Sequence, residues 1–178
     1  MLAYDEHGYH TAEGVLSDTD ITTCLSEVDS VTSHLGDDER VVRESTNGEV
    51  RSLFDAHRFS DAIAGICARE EIKGVAEQIL GDEVYIHQSR VNLKPGFGGG
   101  PFYWHSDFET WHAEDGMPAP RALSVSLSLT PNYTTNGALM IVPGSHKHFD
   151  TCVGQTPDDY HQQSLTSYRP PVGTPDED

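Results

Sequence analysis

The sequence predicts an α+β fold, with helices in its first half and antiparallel strands in its second. Three observations carry this: two stretches of helical apolar spacing before Gly81, two segments of apolar–polar alternation after it, and glycine- and proline-rich turns separating those segments. Helices that precede strands, instead of alternating with them, argue for a second half built as a β-sandwich or barrel. A chain of 178 residues with no repeat or low-complexity linker is expected to form one domain, mainly helical over residues 1–81 and β-rich over residues 82–178.

Residues 3–16 are expected to form a short helical or extended segment followed by a strand. Ser17 and Asp18 can cap a helix running to about Leu35, because Ile21, Cys24, Leu25, Val28, Val31 and Leu35 recur at helical spacing and Gly36 suits its end. Residues 37–50 are polar and acidic, and Asn47-Gly48 marks a turn. A second helical stretch is expected from about Asp61 to Leu80, ending at Gly81, with a slip in phase near Arg69–Glu71. Residues 83–94 alternate as a half-buried strand does, and residues 95–101 form a glycine-rich loop. Residues 121–130 alternate strictly, with Leu123, Val125, Leu127 and Leu129 on one face. A turn over 131–137 leads to a short buried strand, 138–142, and the C-terminal remainder reads as loop.

Composition narrows the partners. Eleven Lys+Arg against 29 Asp+Glu give a formal charge of −18. So anionic a surface repels phosphate-rich partners, which argues against nucleic acid and anionic membranes. No apolar run approaches the roughly 20 residues of a membrane span, and the first residues contain no signal-peptide pattern. A soluble protein of the cytoplasm is expected. An acidic surface stays hydrated where salt screens its self-repulsion, so a saline setting is one expectation and an ordinary acidic bacterial enzyme the other. Cys24, Cys67 and Cys152 fit no zinc or redox spacing, and the first two, on apolar helix faces, are expected to be buried free thiols.

The residues richest in chemistry lie at 102–118. His105 and Asp107 are two apart, so on a strand both would point to one side and could reach one ion. An imidazole and a carboxylate are two-thirds of the facial triad of non-haem Fe(II) oxygenases, which leaves positions open for a cosubstrate and O2. The pair alone is a weak signal. Trp104, Phe108, Trp111 and His112 crowd around it and favour a ligand cavity over a solvated loop.

The segments WHSDFETWHAEDGMP (104–118), RALSVSLSLTPN (121–132) and GALMIVPGSHK (137–147) resemble the phytanoyl-CoA dioxygenase superfamily of Fe(II)/2-oxoglutarate oxygenases, and within it the ectoine-hydroxylating branch. HQSRVNLKPGF (87–97) and CVGQTPDD (152–159) extend the resemblance, which runs from about Tyr4 to the end of the chain. It implies N-terminal helices packed on a double-stranded β-helix, a jelly-roll of cupin-like form, here incomplete. It also implies Fe(II) as cofactor, 2-oxoglutarate and O2 as cosubstrates, ectoine as the small-molecule substrate, 5-hydroxyectoine as product, and a possible homodimer.

By the same resemblance His105 and Asp107 match the first two iron ligands. Gln88 and Trp111 match residues that hold ectoine, and Thr110 lines the same pocket. Lys94 matches a 2-oxoglutarate contact, with Asn92 near it. The chemistry suits these roles: an amide both donates and accepts, an indole face attracts a delocalised cation, and an ammonium pairs with a dicarboxylate. His146, in the PGSHK motif, belongs to a turn in this superfamily. The resemblance further implies a second iron-binding His and an Arg for the far carboxylate of 2-oxoglutarate, and neither is matched. The end of the chain, YRPPVGTPDED, resembles the loop before the strands that would carry them. The sequence therefore reads as a partial chain, expected to have little or no hydroxylase activity alone. A relative acting on another small zwitterion or amino acid, and a non-catalytic pseudoenzyme or solute-binding module, are the rival readings.

Overall fold

Ser17 sets the start of the longest helix by reciprocal hydrogen bonding. In the computed structural model, which describes residues 2–100, 102 and 104–148, Ser17 is extended and its hydroxyl accepts the Asp20 N–H at 3.2 Å. The Asp20 carboxylate accepts the Ser17 N–H at 2.8 Å, so two helix-end donors are satisfied together. The elements in order are α1 (Leu2–His7), α2 (Asp18–Leu35), β1 (Val41–Arg43), β2 (Val50–Phe54), α3 (Ala56–Phe59), α4 (Asp61–Cys67), α5 (Lys73–Leu80), β3 (Arg90–Asn92), α6 (Asp107–Glu114) and a 3-10 turn, Ser145–Lys147. They fall into two units: residues 12–100 with 125–138, and the described residues of 1–11, 101–124 and 139–178. Among the described residues no helix is long and apolar enough to cross a membrane.

In the first unit, helices pack on a three-stranded antiparallel sheet of order β1-β2-β3. Val41 faces Leu53 across β1–β2, and Leu53 faces Val91 across β2–β3. Val41, Leu53 and Ala56 form the core, covered by Val31 and Leu35 of α2, Ile63 of α4, and Val50 and Val91 of the sheet. The β1–β2 hairpin was absent from the sequence expectation apart from its turn at Asn47-Gly48, where Gly48 takes φ +73°. Its two strands are too short to show a period.

The second predicted helix divides into α4 and α5, with the break at the phase slip. Ser60 caps α4 by accepting the Ile63 N–H at 3.0 Å, and Gly81, at φ +71°, ends α5. Arg69, in the connection, forms a bidentate pair with Asp20 at 2.5 and 3.0 Å. Cys24 is buried, Cys67 half-buried, and both are free thiols; Cys152 lies outside the described residues.

The strand expectations need correction. Residues 8–16 are irregular, and of residues 83–94 only β3 pairs. Residues 121–130 and 138–142 form no ladder among the described residues, and Leu139, Met140 and Ile141 are exposed while Val142 is buried. Alternation encodes two faces, but a strand also needs a neighbour for its backbone groups.

In the second unit, the end of α1 is closed by the Pro143–Lys147 motif. The Gly144 N–H donates to the His7 carbonyl at 2.8 Å, Lys147 Nζ donates to that of Glu6 at 2.9 Å, and His146 Nε2 lies 3.2 Å from that of Asp5. Donors and cations at a helix C-terminus satisfy its free carbonyls and its negative dipole end. The motif's histidine thus serves a helix end.

Candidate functional site

His105 and Asp107 do not lie on a strand, as their spacing suggested. Ser106 is extended, at φ −114° and ψ 129°, and the chain turns into α6 at Asp107. An extended residue followed by a helix start still sends the two flanking side chains to one side. His105 Nε2 lies 3.5 Å from Asp107 Oδ1, and the side chains are 21% and 31% exposed, within reach of an ion from solvent. The carboxylate also sits at the positive end of a helix.

A third residue joins them. Ser124 Oγ donates to Asp107 Oδ2 at 2.6 Å. Sequence reasoning missed Ser124; the only available signal was that it shares the polar face of the alternating segment with Ser126 and Ser128. An imidazole nitrogen and a carboxylate oxygen are the donor types of a non-haem iron site, so the two residues fit two of its positions. Among the described residues no group of three or more His, Cys, Asp or Glu gathers to hold a metal.

Positions 107, 110 and 111 fall on one face of α6 by helical spacing. Trp111 is half-buried, and its carbonyl accepts the N–H groups of Asp115 and Met117 at 3.0 and 3.1 Å, which ends the helix. The Thr110 side chain lies outside the described residues. Glu109 is buried. His112 Nδ1 is 2.6 Å from the Met117 carbonyl, so this ring belongs to the helix end.

The other predicted ligand contacts belong to the first unit. Gln88, Arg90, Asn92 and Lys94 occupy alternate positions along β3 and the residues flanking it. Gln88 is exposed. Asn92 is also exposed, and its Oδ1 accepts the Ser52 hydroxyl at 2.9 Å. Arg90 lies over the Phe54 ring, 5.6 Å from its centre. Lys94 is exposed and runs across Gly137: a Cβ there would be 2.5 Å from Lys94 Cδ and 2.8 Å from its Nζ. Gly137 also takes φ +79°, so both its backbone and its neighbour require glycine.

The loop after Lys94 is pinned at its far end. Arg51 Nη1 donates to Glu44 Oε1 at 3.0 Å and to the Gly100 carbonyl at 3.2 Å, while the Gly100 N–H donates to Glu44 Oε1 at 3.0 Å. No feature of the sequence marked this buried pair. At Phe97 the same loop has φ +61° and a fully exposed ring.

The chain has relatives among known proteins. The family model described as phytanoyl-CoA dioxygenase (PhyH) matches residues 4–176. An ectoine dioxygenase of Nocardia farcinica is 49% identical over 177 residues, covering 98% of this chain and 59% of that protein. One from Bordetella bronchiseptica is 47% identical over 178 residues, covering 99% of this chain and 57% of that protein. The crystal structure of EctD from S. alaskensis with 2-oxoglutarate and 5-hydroxyectoine matches at a TM-score of 0.77 and 45% identity, over 82% of this chain and 52% of that one. The structure of the same enzyme with bound Fe matches at 0.76, with 45% identity over 82% of this chain and 53% of that one. The chain spans about 60% of the length of the curated relatives it matches. By the match across residues 4–176, this chain belongs to the phytanoyl-CoA dioxygenase family.

Proposed function

We propose that the protein acts as an Fe(II)/2-oxoglutarate-dependent dioxygenase that hydroxylates ectoine to 5-hydroxyectoine. The observation that carries this reading is the imidazole–carboxylate pair, 3.5 Å apart at the start of α6, in a chain at 41–49% identity to ectoine dioxygenases. His105 and Asp107 would hold Fe(II), and bound iron supplies the activation of O2 that C–H hydroxylation needs. The overall reaction consumes ectoine, 2-oxoglutarate and O2 and yields 5-hydroxyectoine, succinate and CO2.

The remaining residues bind and orient. Lys94 would pair its ammonium with a carboxylate of 2-oxoglutarate, with Asn92 two residues before it at the end of β3. Gln88 would hydrogen-bond ectoine, and Trp111 would offer its indole face to the amidinium, an interaction of about 0.5–2 kcal/mol. Thr110 would share the Trp111 side of the site. Such contacts hold one C–H bond towards the metal and keep water away from it. One family match along nearly the whole chain supports placing these parts in a single catalytic domain with the jelly-roll, cupin-like barrel as its frame.

Recognition and chemistry are tested separately. Calorimetry with ectoine under nitrogen, with Fe(II) and 2-oxoglutarate present, is expected to show binding that Q88A and W111A lose. In air, succinate is expected to rise with ectoine in step with 5-hydroxyectoine, against the little or no activity that the unmatched His and Arg led one to expect, and H105A and D107A are expected to form neither. No binding of ectoine, or turnover stimulated only by another zwitterion, would overturn the substrate. Ectoine binding without any turnover would replace the catalytic reading with that of a solute-binding module.

A further inference from the structure

We infer that Ser124 is a positioning residue for the metal-binding carboxylate: its hydroxyl fixes which oxygen of Asp107 is presented to a divalent cation. The inference rests on the assignment of His105 and Asp107 as ligands. Ser124 Oγ lies 2.6 Å from Asp107 Oδ2, the length of a hydroxyl-to-carboxylate hydrogen bond. An ionised carboxylate only accepts, so the hydroxyl donates. Oδ1 is the oxygen that faces His105 Nε2, at 3.5 Å. The two oxygens therefore have different surroundings, one tied to Ser124 and one turned to the imidazole.

That tie opposes rotation of the carboxylate. The last torsion of an aspartate is broad and two-fold, so a half-turn exchanges its oxygens. Asp107 is also the first residue of α6, where free backbone N–H groups compete for a carboxylate, and the Ser106 side chain makes no cap bond there. Ser124 comes from the irregular segment beyond the helix, so its bond is tertiary and holds the carboxylate from outside. Partners of this kind typically change metal affinity by roughly 10–100-fold when removed.

The test is anaerobic calorimetric titration with Fe(II) of the unmodified protein, S124A, S124T and D107A, each checked for an unchanged circular dichroism spectrum. S124A is expected to bind Fe(II) roughly 10–100-fold more weakly at unchanged fold. S124T, which keeps the hydroxyl, is expected to bind nearly as the unmodified protein does. Equal affinity in S124A and unmodified protein would overturn the inference, and so would equal losses in S124A and S124T, because packing and not the hydroxyl would then be responsible. If the unmodified protein binds no Fe(II), or D107A binds it equally well, the ligand assignment itself fails.

Discussion

Arg51→Ala tests whether the buried ion pair under the glycine-rich loop is a structural necessity. The Arg51 and Glu44 side chains are only 6% and 7% exposed. Removing the guanidinium takes one charged donor from Glu44 Oε1 and the only side-chain donor described for the Gly100 carbonyl, and leaves a carboxylate in a dry setting. Breaking a buried pair in this way costs about 3–5 kcal/mol. The Gly100 N–H remains on Glu44 Oε1, which places the expected loss near the lower end, about 3 kcal/mol. The double variant E44M/R51M removes both charges and fills their volume, so it should be more stable than R51A. Urea unfolding, with the slope checked for constancy, measures both. A loss below about 1 kcal/mol in R51A, or a double variant less stable than R51A, would refute the argument that charge stranded by burial sets the cost.

Three further outcomes are expected. Leu53, 1% exposed at the centre of the sheet, should cost about 3–5 kcal/mol as L53A in the same urea assay, and a loss under 1 kcal/mol would mean the core lies elsewhere. Asp20 is held well below the usual carboxylate range, chiefly by Arg69 and then by Ser17, and Asp38 is lowered to about 2, chiefly by Arg40. Both carboxyls are depressed in the fold, so their stabilisation is fully present above the unfolded value of about 4 and is lost progressively as pH falls from there through the folded values, about 2 for Asp38 and lower for Asp20. Urea midpoints should drop over that window, and less steeply in R69M and R40M; parallel profiles would exclude these pairs as the cause. Finally, G137A should displace Lys94 and weaken 2-oxoglutarate binding by roughly tenfold, the equivalent of one charged hydrogen bond. Unchanged 2-oxoglutarate titration in folded G137A would contradict the proposed role of Lys94.

The parts of the fold that could be read in advance were those fixed by near neighbours. Helix α2 carries its own cap in Ser17 and Asp20 and its own apolar stripe, so its bounds followed from local chemistry. The division between α4 and α5 showed as a slip in phase. The hairpin did not show, because strands of three and five residues are too short for a period and only the Asn47-Gly48 turn announces them. Residues 121–130 failed in the opposite direction. Their period is clear, yet a ladder depends on a partner that alternation cannot name. Helix α6 was hidden by its composition: DFETWHAE has no apolar stripe, and its aromatic residues drew attention as pocket lining.

The candidate site divides along the same physical line. The proximity of His105 and Asp107 could be anticipated because a two-residue separation brings side chains to one side in more than one backbone setting. A strand achieves it by pleating, and here an extended Ser106 followed by a helix start achieves it instead. The expected strand was wrong, but the juxtaposition survived because it needed only local geometry. Ser124 could not be found that way. Its contact with Asp107 spans 17 residues and depends on the path of a segment that makes no ladder among the described residues. Identity and spacing thus encode which atoms can bind a metal, whereas tertiary contacts encode how those atoms are aimed. Affinity depends on the aim as much as on the atoms, because a carboxylate free to rotate must be ordered at the moment of binding. The chemistry of a site is therefore legible earlier than its strength, and Ser124 is where this chain's second kind of information begins.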